Sequence, residues 1–177
     1  MDKPFYRNFF GRSQKTVLET TEARAEGGDA QAQFSLGLKF SNPGAAQNYF
    51  LAEKWYLKAA DQSHSLAQFN LGIMYAQGQG VRRDEAKALV WIRKAADLGD
   101  AGAQYKLGSQ HHRASLGELP EAAFESRIEA YKWLQLAAVQ GYQDSRAACE
   151  SVALTMTRES LADGRRRVAA FNALKTN

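Results

Sequence analysis

"GVRRDEAKALVWIRKAADLGDAGAQYKLG", residues 80–108, is the stretch from which the rest of the chain can be read. It holds Trp91, the pair Ala95-Ala96 and the pair Leu107-Gly108, and each of these recurs. Trp55 lies 36 residues before Trp91 and Trp133 lies 42 after it. Each Trp is followed at the same distance by an Ala pair: Ala59-Ala60, Ala95-Ala96 and Ala137-Ala138. A second motif precedes each Trp, as AQFSLGLKF (32–40), AQFNLGIMY (67–75) and AQYKLGSQH (103–111), at offsets of 35 and 36 residues. Self-similarity at this period marks a repeat architecture before it marks a catalytic site.

Both motifs read as helices. Ala67, Leu71, Met74 and Tyr75 fall on one helical stripe, and Phe69, Gly72, Ile73 and Ala76 on a second. A helix apolar on two sides is held between neighbours. In the Trp motif, Ala88, Trp91, Ile92 and Ala95 share a stripe while Arg93 and Lys94 point elsewhere. Asp84 is placed to cap that helix and Gly99 to stop it. A helical Gly costs about 1 kcal/mol relative to Ala. Its return at Gly37, Gly72 and Gly108 predicts close helix contacts that offset the cost. One such hairpin cannot bury its faces alone, so the pairs must stack. The expected fold is an all-α solenoid of three helix-turn-helix repeats with capping helices.

Composition agrees. The 177 residues are 45% hydrophobic and 24% charged, enough for a core, with three prolines and a net charge of +4. Cys149 is the only cysteine, so no disulfide forms within the chain, as suits a reducing compartment. No apolar run approaches the roughly 18 residues of a membrane span, and the first residues lack a secretory core. A cytoplasmic location is the expectation.

The second unit, "LGIMYAQGQGVRRDEAKALVWIRKAADLGDAGAQ", resembles a Sel-1-like repeat, a relative of the tetratricopeptide repeat. The likeness is carried by Ala67, Leu71, Gly72, Tyr75, Gly78, Gly80, Val81, Asp84, Ala86, Ala88, Trp91, Ala95, Ala96 and Gly99. The first unit departs from it between its helices ("SNPGAAQNYFLAE"), and the third by six extra residues between Leu-Gly and Trp133. The division is a capping segment at 1–28, repeats at 29–64, 65–99 and 100–141, the last with an enlarged inter-helix loop, and a capping hairpin at 142–177. Residues 13–27 read as a degenerate helix, and the first fifteen residues are a candidate for pairing two copies.

The resemblance implies a right-handed α-solenoid, and binding, not catalysis: a scaffold or adaptor in bacterial signalling or complex assembly that holds a protein or peptide on the concave face lined by the first helix of each pair. By helical position that face would include Phe34, Leu38 and Ser41, then Phe69, Ile73 and Ala76, then Tyr105, Ser109 and His112. The competing role for the aromatic positions is inter-helix core. Leu116, Leu119 and Phe124 are apolar residues of the long third loop, able to extend the surface or to pack locally.

Other chemistries find less support. Gly78-Gln79-Gly80 lacks the Lys-Ser/Thr of a phosphate loop. His111-His112 diverge on a helix and lack a completing set of metal ligands; His64 receives no role. Cys149 has no partner that would make it a nucleophile, and no Ser-x-x-Lys motif supports a hydrolase. No cofactor is expected. The alternative is a basic module that binds RNA or another polyanion through Arg165-Arg166-Arg167, although aromatic platforms beside that cluster are lacking and Phe171 fits an apolar stripe with Val168 and Leu174.

Overall fold

The structure is a computed structural model that describes residues 21–44, 47–117, 119–142 and 144–175. The expected helix over 13–27 and the pairing role for the first fifteen residues fall mainly or wholly outside this range, with residues 21–26 helical. Every other described element is also a helix: α1 (Ala30–Ser41), α2 (Tyr49–Asp61), α3 (Ser65–Gln77), α4 (Glu85–Asp97), α5 (Ala101–Ser115), α6 (Pro120–Val139), α7 (Ser145–Leu154) and α8 (Arg158–Lys175). The chain divides into two compact units, Met1–Ala88 and Leu89–Asn177, with the division inside α4. No helix among the described residues is long and apolar enough to cross a membrane.

In the first unit α1 packs on α2, and α3 packs on α2 while touching α1. The spacing of small residues sets how close they come. Ala52, Ala59, Ala60 and Ala67 are buried, and the ring of Tyr56 lies so near Gly37 that any Cβ there would overlap it. The Tyr56 hydroxyl is satisfied by Asn70 Nδ2 at 3.1 Å and Ser41 Oγ at 2.9 Å. Ala25, Ala32 and Leu36 form a further cluster with Phe40 and Trp55 against it.

The irregular first turn closes as the regular one does. Asn48 N–H donates to Phe40 C=O at 2.8 Å, and Asp84 N–H donates to Tyr75 C=O at 2.9 Å, the same repeat position. Gly78 ends α3 in the left-handed region (φ 71°), where a Cβ would be strained. Asp84 caps α4 as expected, its carboxylate accepting from Lys87 N–H at 2.9 Å.

In the second unit α6 packs on α5, α7 and α8. Gly108 allows a close approach: a Cβ there would stand 2.6 Å from Leu134 Cγ and 2.9 Å from the Leu134 backbone nitrogen. Gly164 of α8 does the same for the Tyr131 ring. Leu134, Tyr131, Ala130, Cys149 and Val152 form one core cluster, with Tyr105 and Leu161 packed onto it. The three tryptophans are not equivalent. Trp133 is fully buried, edge-on to Phe171 at 5.6 Å, and donates from Nε1 to Glu129 at 3.0 Å. Trp55 and Trp91 are half-buried, each under a lysine, Lys58 and Lys94, at 4.3 Å. Leu174 is exposed and takes no part in the stripe expected with Phe171.

The enlarged third loop is not a loop. The extra residues lengthen the helices: α5 has 15 residues, and α6 has 20 where α2 has 13. Only residues 116–119 connect them. Pro120 begins α6 at a position where its missing N–H has no intrahelical acceptor to lose.

Candidate interaction surface

The first helices of the repeats are fixed at their N-termini by one recurring arrangement. Asp29, His64 and Asp100 occupy equivalent positions and accept from the N–H of Ala32 (2.9 Å), Ala67 (3.3 Å) and Ala103 (2.7 Å). His64 is the surprise. Its Nδ1 accepts the cap bond, so Nε2 carries the proton and donates to Gln31 Oε1 at 3.1 Å. Its ring stacks on Phe34 with centroids 4.6 Å apart, and burial holds its pKa below the usual histidine value.

Four residues after each cap comes a buried glutamine. Gln33, Gln68 and Gln104 donate to the carbonyls of Ala25 (3.0 Å), Ala60 (3.0 Å) and Ala96 (3.2 Å), each eight residues back. Their amide oxygens differ. Gln62 donates to Gln33 at 2.8 Å and Gln140 to Gln104 at 2.9 Å. The same repeat position in the second unit of sequence is Leu98, which has no donor, and Gln68 Oε1 has no partner. The Ala-Gln-aromatic motif displayed these glutamines; their role needed the preceding helix in place.

On that framework the expected site residues separate. Phe34 is only 8% exposed, held between His64 and Tyr56, and belongs to the core. Leu38, one turn on, is 36% exposed, and Phe69 and Ile73 on α3 are half-buried. Tyr105 is half-buried, set against Tyr142 at 5.6 Å and against the α6–α7 core. Ser109 and His112 are half-buried further along α5, and His112 Nδ1 is without a hydrogen-bond partner. Leu116 and Leu119 are 75% and 80% exposed in the α5–α6 connection. Phe124 is partly exposed but lies within α6, not in a loop.

The alternative sites take clear structural forms. Cys149 is buried and donates from its thiol to Gln135 Oε1 at 3.2 Å. Burial, reinforced by the charge of Glu150, pushes that thiol up to about 11, which disfavours the nucleophilic thiolate. Among the described residues no group of His, Cys, Asp and Glu gathers as metal ligands. The arginine cluster is largely self-neutralised. Arg166 pairs with Asp163 at 2.8 Å, and Arg167 pairs with Asp163, Glu125 and Glu129. Glu129, despite burial that opposes its charge, is held below the usual carboxylate range by Arg167 and Lys132.

Paired helices joined by short turns, caps at a fixed period and buried Gln–carbonyl bonds define an α-helical repeat protein. The chain belongs to the Sel1 repeat family, whose model matches residues 30–64, 65–100 and 101–142. Such modules are typically protein-interaction scaffolds and generally non-catalytic. The chain is similar in structure to a protective antigen of uropathogenic Escherichia coli strains described as displaying an SLR fold, with 28% identity, a TM-score of 0.72 and coverage of 89% of this chain. It spans only 32% of that protein. It is also similar to a Sel1 repeat protein from Oxalobacter formigenes, with 31% identity, a TM-score of 0.63, and coverage of 76% of this chain and 98% of the other. No curated protein matches the sequence.

Proposed function

We propose that the protein is a non-catalytic adaptor that holds a peptide or protein segment on the side of its first helices, in a bacterial signalling or assembly role. The supporting observation is the partly exposed apolar set of Leu38 on α1 with Phe69 and Ile73 on α3. These side chains are raised on helices whose ends are already fixed by caps and glutamine bonds, so binding would order little else. Rigid apolar anchors of this kind suit a helix or an extended peptide. The lone buried Cys149 thiol fits our placement in a reducing compartment such as the cytoplasm.

The test is capture from the native host's lysate, with each captured protein identified and its binding reconstituted from pure components. Wild type is compared with Ile73→Glu, verified as folded by circular dichroism. A partner retained by wild type and lost by the variant is the expected result. A partner retained by both would move the site off this face. Recovery of RNA in place of protein would favour the polyanion reading.

A further inference from the structure

Between α6, α7 and α8 runs an open groove of about 370 Å³, within the roughly 300–1,000 Å³ of ordinary ligand pockets. Its lining includes Tyr131, Ala138 and Leu161, which are apolar and at least partly buried. Arg146 from α7 and Arg165 from α8 line the same groove, and both are exposed. Neither forms an ion pair among the described residues, in contrast to Arg166 and Arg167. The one member of the arginine cluster left uncommitted is thus the one that faces this groove.

Two further groups shape what could bind. Gln135 accepts the Cys149 thiol at its amide oxygen and brings two N–H donors to the groove. Glu150 also lines the groove, which leaves a net charge of +1 from two arginines and one carboxylate. A single carboxylate can sit by the arginines and the amide. An extended phosphate backbone would bring several negative charges past Glu150, at a like-charge cost.

We propose that this groove captures the C-terminal carboxylate of a partner peptide whose last side chain is apolar. The terminal residue carries both required features on one Cα: the carboxylate for Arg146, Arg165 and the Gln135 amide, and a side chain for the Tyr131–Ala138–Leu161 floor. Guanidinium–carboxylate hydrogen bonds supply orientation as well as energy. An internal Asp or Glu would bring two flanking chain segments into a groove of this size.

The experiment is a titration of ¹⁵N-labelled protein, followed by amide chemical shifts, with three acetylated probes: Ala-Ala-Leu as the free acid, Ala-Ala-Leu as the C-terminal amide, and Ala-Asp-Leu-Ala as the amide. The free acid should shift the amides of Val139, Arg146, Glu150 and Arg165, and the other two should bind at least tenfold more weakly. Arg165→Gln, a surface change whose fold is checked by its melting curve, should weaken the acid roughly tenfold, the loss of one charge-assisted hydrogen bond. Equal shifts from acid and amide, preference for the internal Asp, or silence of the groove at millimolar probe would each overturn the proposal. It does not depend on the first-helix site: shifts confined to Leu38, Phe69 and Ile73 would refute the groove and leave that site standing.

Discussion

Gln104 donates from its side-chain amide to the carbonyl of Ala96, eight residues back, at 3.2 Å. The bond ties the first turn of one helix to the last turn of the helix before it. It gives a second donor to a carbonyl at the helix end that also accepts from Gly99 N–H at 2.9 Å. Gln140 then donates to Gln104 Oε1 at 2.9 Å, so the buried amide is satisfied at both ends. A buried polar group is tolerated here because its partners are in place.

Gln104→Leu should therefore destabilise the protein by about 1–3 kcal/mol, because the Ala96 carbonyl and the Gln140 amide both lose a partner. Gln68→Leu should cost less, since Gln68 Oε1 is already without a partner. Urea midpoints by circular dichroism give the order, and a larger loss at Gln68 would refute the account.

Gly108→Ala sets two effects against each other. Helix propensity favours Ala by about 1 kcal/mol. The new Cβ would press on Leu134 Cγ at 2.6 Å and on its backbone nitrogen at 2.9 Å, and backbone cannot rotate aside. Overpacking of about 1–3 kcal/mol should prevail, lowering the melting temperature.

Stability should depend on His64 protonation. The folded-state pKa is depressed by burial, so the neutral ring is the form that folding favours. This contribution is present above the unfolded value of about 6.5 and is lost as pH falls below it through the folded pKa. The added proton would go on Nδ1, where the bond from Ala67 N–H is accepted. Urea midpoints from pH 8 to pH 5 should fall more steeply for wild type than for His64→Asn, which keeps a capping oxygen and does not titrate.

The expected concave residues should divide by role. Phe34→Ala should cost about 3 kcal/mol or more, as a buried ring. Leu38→Ala should change stability by no more than about 1 kcal/mol and act on partner capture. Similar losses of stability from both would place Leu38 in the core as well.

The sequence by itself determined the helix pairs, their period, the cap at Asp84 and the need for Gly at 37 and 108. These follow from local chemistry and from spacing along one chain. His64 was legible too, since it stands three residues before Ala67 as Asp29 and Asp100 stand before Ala32 and Ala103; its residue type obscured the role. Tertiary structure alone decided the rest. It turned most of the expected third loop into helix, with α5 running to Ser115 and α6 beginning at Pro120, because Pro120 can begin a helix and the residues after it continue one. It placed Phe34 in the core but left Leu38 at the surface, a difference set by where His64 and Tyr56 stand. It also paired Arg167 with Glu125 and Glu129, about forty residues away in sequence, and left Arg165 to the groove. Exposure and charge pairing depend on which side chains from distant segments arrive at the same place, and a one-dimensional pattern does not record that.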